Sequence, residues 1–161
     1  MKLYHGSIHK VEHPIISRGR NSTDFGKGFY TTTNLHQAQK WALRKQSTDG
    51  EKAKATVSIY EVDDDLLSKG RYNVKCFDNP DKDWLSFVIS CRKSKVHEYD
   101  IVFGAVANDN IYATITMFES GLLSAEETVQ RLKVNEIFNQ ISFHSSIAIE
   151  ELQFTEAVVI T

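Results

Sequence analysis

The sequence predicts an α+β domain of about six strands and five helices in mixed order, with much of the sheet antiparallel. Three observations predict it. Short β-branched runs with period-2 alternation recur along the chain. Apolar stripes at helical spacing lie between them, opened by capping residues. The chain has neither a repeating strand–helix–strand unit nor a G-x-G-x-x-G, which argues against a doubly wound dinucleotide-binding sheet. At 161 residues, 25% charged and 41% hydrophobic, it reads as a single soluble domain over 1–161 that needs no disulfide.

The elements follow in order. Residues 2–5 (KLYH) read as an opening strand ended by Gly6, and residues 8–28 carry the Pro, Gly, Asn and Ser of a loop. Asn34 is an N-cap with Gln37 three residues on, and Leu35, Ala38, Trp41 and Ala42 form the apolar face of a helix to about Gln46. Residues 55–62 (ATVSIYEV) and 72–77 (YNVKCF) read as strands. Asn79-Pro80 reads as an N-cap followed by proline at the first helical position, opening a helix with Trp84, Phe87, Val88 and Cys91. Residues 99–107 (YDIVFGAVA) form an apolar strand, and Asn108 and Asp109 cap a helix over 111–118. Ser124 with Glu127 is a capping box for a helix to about Lys133. A strand over 138–144 (FNQISFH), a short helix from Ser146 to Leu152 and a strand over 153–160 complete the chain.

The net charge of −2 conceals an asymmetry. Residues 1–54 carry ten Lys/Arg against four Asp/Glu, whereas residues 96–161 carry two against ten. A basic first third suggests an anionic ligand or partner. Two cysteines, Cys76 and Cys91, without C-x-x-C spacing argue against a disulfide framework or a zinc site. The N-terminus lacks the apolar core of a secretory signal and no apolar run approaches membrane-spanning length. These features make a cytoplasmic protein, with no membrane partner, the expectation.

Two stretches carry the chemistry. DFGKGFYTTTNLHQAQKWA (24–42) combines glycines that let backbone approach a ligand, the aromatic pair Phe29-Tyr30, and a helix bearing Trp41 eleven residues after Tyr30. LYHGS (3–7) places His5 beside the backbone of Gly6, where a flat amide or a ribose hydroxyl can be hydrogen-bonded. Taken singly, Tyr30 and Trp41 read equally as core aromatics and His5-Gly6 as a structural pair. His5, His9 and His13 recur at every fourth position, a metal stripe only if the segment is helical; Gly6 and Pro14 argue that it is not, and no metal is expected.

Together the two stretches resemble the ADP-ribosyltransferase superfamily on its diphtheria-toxin and poly(ADP-ribose) polymerase side. That group has a His-Gly strand, a later Gly-[Phe/Ile]-Tyr strand and a second aromatic eleven residues after the tyrosine. The pattern, with QISFH near the end, also resembles a bacterial branch in which toxins of toxin–antitoxin and phage-defence systems occur. The resemblance implies a split antiparallel sheet with flanking helices and an NAD-dependent mono-ADP-ribosyltransferase acting on RNA, DNA or protein. It also implies a cognate antitoxin as a partner. In that reading NAD is a co-substrate. Its nicotinamide lies on the Gly6 backbone between Tyr30 and Trp41, His5 holds the adenine-side ribose, Ser7 lies alongside, and Arg20 meets the pyrophosphate. Gln140 falls where the superfamily carries a catalytic glutamate; it keeps a hydrogen bond but not the charge, and losing one such stabiliser costs about 10²–10³ in rate. Glu136 lies nearby, four residues off the match. The catalytic set is therefore His5, Tyr30 and Gln140, with Gly6, Ser7, Arg20 and Trp41 binding the cofactor. The alternative is a catalytically weak or inactive NAD-binding or interaction module of the same fold. His144 shares the Gln140 face and reads as surface.

Overall fold

A computed structural model describes all residues except 51, 108, 109 and 134–137, and the side chains of 110–112 and 133. The expected caps at Asn108 and Asp109, and Glu136, lie outside the described residues. Among those described, seven strands form two sheets. β1 (Lys2–Ser7), β3 (Thr56–Glu61) and β7 (Gln153–Val159) make one, antiparallel throughout, in the order β1-β3-β7. β2 (Phe29–Thr31), β4 (Val74–Cys76), β5 (Ile101–Ala105) and β6 (Asn139–Phe143) make the other, in the order β2-β6-β5-β4. Only the β4–β5 pair there is parallel. The α+β expectation holds. Periodicity does not mark β2, three residues long within a Gly- and Thr-rich run without a period-2 signal; the Phe29-Tyr30 strand follows only from the resemblance.

Among the described residues five α-helices flank the sheets: α1 (Leu35–Asp49), α2 (Lys82–Arg92), α3 (Asn110–Glu119), α4 (Ala125–Lys133) and α5 (Ser146–Ile149). Capping chemistry sets their starts. Asn34 Oδ1 accepts the Gln37 N–H at 3.0 Å, and Ser124 and Glu127 bond reciprocally at 3.1 and 2.8 Å. Two caps differ from expectation. Asp81, not Asn79, caps α2 by accepting the Trp84 N–H at 2.9 Å, so Pro80 lies before the helix. Ser145, not Ser146, caps α5.

Three apolar layers hold the stack together. Ala38 and Ala42 of α1 pack on Ala55, Val57 and Ile59. Leu3 and Tyr60 of the first sheet meet Phe29, Ile101, Ile141 and Phe143 of the second. On the far face of the second sheet, Phe25, Val102 and Ala105 pack with Trp84, Leu85 and Val88 of α2, Ile115 of α3, and Val129 and Leu132 of α4. Strand alternation then assigns faces. Ile141 and Phe143 face the other sheet, so Gln140 and Ser142 face the helices, as does Tyr30, which pairs with Ser142.

The tightest approach is at Gly6. A Cβ there would lie 2.1 Å from the Ala38 carbonyl oxygen and 3.0 Å from the Ala42 nitrogen, because the α1 backbone crosses β1 at this point. Gly6→Ala is expected to cost about 3 kcal/mol, since backbone cannot step aside as a side chain does. Thermal denaturation should show a Tm lower by roughly 10 °C; an unchanged melt would contradict this packing.

Candidate functional site

The site begins where the two sheets meet. Tyr4 and Thr32 exchange backbone hydrogen bonds of 2.8 and 2.9 Å, forming an isolated antiparallel bridge between β1 and the end of β2. The next rung would set Gly6 against Tyr30. Instead the His5 Nδ1–H donates to the Tyr30 carbonyl at 2.7 Å, and the strands part. The N–H and C=O of Gly6 point, like those of Tyr4, away from β3 and into this opening. The His5 ring lies on Phe29, 4.3 Å between centroids. Burial, and secondarily the Lys45 charge, push its pKa down to about 4 against the Tyr30 hydrogen bond. His5 is therefore neutral at pH 7, with Nδ1 protonated and Nε2 left as an acceptor.

A cationic group borders the opening. Lys45 of α1 donates from Nζ to the Gly6 carbonyl at 3.1 Å. Burial, and then the Arg20 charge, lower its pKa to about 8. Lys45 and Arg44 stand 6.0 and 5.9 Å from the Trp41 ring centre. Trp41 itself corrects the sequence reading: it is 47% exposed, and the buried face of α1 is made by Ala38 and Ala42. Only alanine fits between a helix and the β1 backbone at the Gly6 approach, so the larger side chain turns outward.

Tyr30 and Gln140 share a face but meet different partners. The Tyr30 hydroxyl donates to the Gly26 carbonyl at 2.6 Å, accepts the Phe25 N–H at 3.0 Å and lies 2.9 Å from Thr23 Oγ1. Burial, above all, raises its pKa. Gln140 is 8% exposed and donates from Nε2 to Asp24 Oδ2 at 2.9 Å. Asp24, 7% exposed, also accepts the Ala107 N–H at 2.8 Å and bonds Arg92 through Nε at 3.0 Å and through Nη2. Sequence reasoning missed Asp24. Its signal is that it is the only carboxylate between Glu12 and Asp49, at the head of the FGKGFY run.

His144 is half-buried rather than on the surface. Its Nδ1–H donates to the Lys27 carbonyl and its Nε2 accepts from Ser142 Oγ, both at 2.8 Å. Burial is the main cause of a pKa lowered to about 4. A Cβ at Gly28 would lie 2.7 Å from this ring, which explains the glycine. The structure thus brings together His5, Gly6, Lys45, Arg20 and Trp41 around the opening, and Tyr30 and Gln140 against the 23–28 loop, which carries Asp24. Ser7 sits at the end of β1, opposite Thr56. Because β1 ends at Ser7, no helix aligns His5, His9 and His13. Among the described residues no group of three or more His, Cys, Asp or Glu side chains is placed to hold a metal, and no helix is long and apolar enough to cross a membrane.

Fold and site define a two-sheet α+β domain with a histidine-lined, cation-bordered opening at the junction of its sheets. The chain belongs to the family described as "Protein of unknown function (DUF3990)", whose family model matches residues 1–154. Neither a curated protein nor a solved structure matches it.

Two pH effects follow. His5 and His144 both have folded pKa values below the ordinary 6.5, so the unfolded chain binds more protons between about 4 and 6.5. Their stabilisation is complete above pH 6.5 and is lost as pH falls toward 4. Between pH 7 and 5 the Tm should drop by about 5–10 °C, and His144→Asn should flatten this slope. Gln140→Glu sets a second carboxylate against Asp24. Its stability deficit is expected to be largest at pH 8 and to shrink toward pH 5, where the pair shares a proton; melts across pH that run parallel to the natural chain would contradict the contact.

Proposed function

We propose that this protein is an NAD-dependent mono-ADP-ribosyltransferase that transfers ADP-ribose to a macromolecular acceptor, RNA, DNA or protein. On this reading it acts in the bacterial cytoplasm as a toxin or phage-defence effector restrained by an antitoxin. The observation that carries it is the parting of β1 from β2, which turns the Gly6 backbone donor and acceptor toward an opening beside a neutral His5. A carboxamide needs that donor–acceptor pair, and a ribose hydroxyl needs an acceptor such as His5 Nε2. Arg20, Arg44 and Lys45 suit a pyrophosphate. Exposed Trp41 offers a face to a cationic ring, worth about 1–2 kcal/mol when desolvated. The two sheets joined by one bridge support the split antiparallel core that the resemblance implies.

In this reading Lys45 yields the Gly6 carbonyl to the nicotinamide amide and turns its ammonium to the pyrophosphate, because a partly desolvated charge needs a replacement acceptor. Gln140 orients the ribose. The negative charge that Gln140 lacks stands next to it on Asp24, though shared with Arg92. That sharing predicts slow turnover. A second reading, an NAD-binding module without catalysis, is favoured by one observation: the Tyr30 hydroxyl and the Gln140 amide are both engaged by residues 23–26.

Nicotinamide release from labelled NAD by the purified protein decides between them. The transferase reading expects measurable turnover, lowered about tenfold by Trp41→Ala and more by His5→Ala. Saturable NAD binding without release establishes the module. A folded protein that neither binds NAD nor labels nucleic acid or protein on expression in a bacterium overturns both.

A further inference from the structure

The loop that covers Tyr30 has a second face. Beyond it lies a cavity of about 400 Å³, walled by the 16–27 loop and the 94–97 turn and floored by two imidazoles. Its size falls in the range of small-ligand sites. Lys27 and Lys95 line it, with Asn21 beside them and Val96, 96% exposed, on the rim. No carboxylate is among the lining residues described, and among the described residues neither lysine ammonium has an ion-pair or hydrogen-bond partner.

The floor is fixed and uncharged. His97 Nδ1 accepts the Tyr99 N–H at 3.1 Å, so its Nε2–H donates to the Phe25 carbonyl at 2.7 Å. His144 is held the opposite way round, donating from Nδ1 to the Lys27 carbonyl and accepting at Nε2 from Ser142. The rings meet edge to face, 4.6 Å between centroids. Each imidazole pins one end of the 25–27 loop, so the cavity wall is held by two separate struts. Two exposed lysines on the wall of a polar cavity, with no carboxylate among its described lining residues, attract an anion. Asn21 adds an amide and Val96 an apolar surface, a combination that suits a phosphate joined to a sugar and base rather than a bare ion.

We infer that this cavity binds the phosphate of a nucleotide unit, held by Lys27 and Lys95. The inference stands apart from the transferase reading, since it concerns binding whether or not NAD is turned over.

The test uses the full chain and fluorescein-labelled single-stranded RNA of ten nucleotides, with adenosine monophosphate and adenosine as competitors. The double variant Lys27→Ala/Lys95→Ala is compared with Lys52→Ala/Lys54→Ala, which removes the same charge from exposed positions elsewhere. Melting curves establish that both fold. The expected result is at least about a tenfold loss of RNA affinity in the cavity variant only, with the salt slope reduced by about 1 per lysine. Displacement by the monophosphate at similar concentrations assigns the ligand as a free nucleotide; failure to displace assigns it as a nucleic-acid strand. The inference is overturned if the natural chain binds neither probe at low salt, if the control variant weakens binding equally, or if adenosine competes as well as its monophosphate.

Discussion

The buried carboxylate of Asp24 is the contact on which the architecture of the candidate site depends. It accepts from Arg92 at the end of α2, from the Ala107 backbone after β5, and from Gln140 on β6. Three elements far apart in sequence are thereby tied to one point in the 19–28 loop. A charge taken out of water this completely is stable only when its donors are in place; removing one partner from such a pair costs about 3–5 kcal/mol. The loop therefore has little freedom to leave the face of Tyr30 and Gln140 while Arg92 stays folded against it. Phe25, fully buried beside Asp24, adds apolar anchorage to the same segment.

The histidines extend this logic without charge. His5, His97 and His144 each donate to a main-chain carbonyl, on Tyr30, Phe25 and Lys27 respectively. At His5 and His144 the imidazole takes the place of a backbone donor just beyond the last rung of a ladder. At β1 that replacement opens the seam from which the functional reading grows. At β6 it closes the loop over the helix-facing side of the sheet. The same residue type thus leaves one edge open and seals the other.

The charge asymmetry of the sequence acquires a structural meaning. Acids of the last part, Glu119, Glu126 and Glu151, pair with Lys93, Lys82, and Lys69 with Arg71, all from the middle of the chain. Basic residues of the first third gather instead around the opening and the neighbouring cavity: Arg20, Arg44 and Lys45 at one, Lys27 at the other. These four are a minority of the ten Lys/Arg of residues 1–54; the others, such as Lys2, Lys52 and Lys54, lie on the exposed surface elsewhere.

The sequence by itself determined the α+β class, most strand and helix positions, the caps at Asn34 and Ser124, and the two stretches around His5 and Tyr30 that border the site. Those features rest on local chemistry: side-chain periodicity, capping hydrogen bonds and residues sparing of Cβ atoms. Tertiary structure decided what local chemistry cannot encode. Trp41 has helical spacing with Ala38, yet the close crossing of α1 over Gly6 leaves room only for the alanines, so the indole faces outward. Gln140 lies on a predicted strand, yet its partner is a carboxylate 116 positions away. Asp24 looked like one more loop residue, because burial and the convergence of Arg92, Ala107 and Gln140 exist only after the second sheet and its helices have packed.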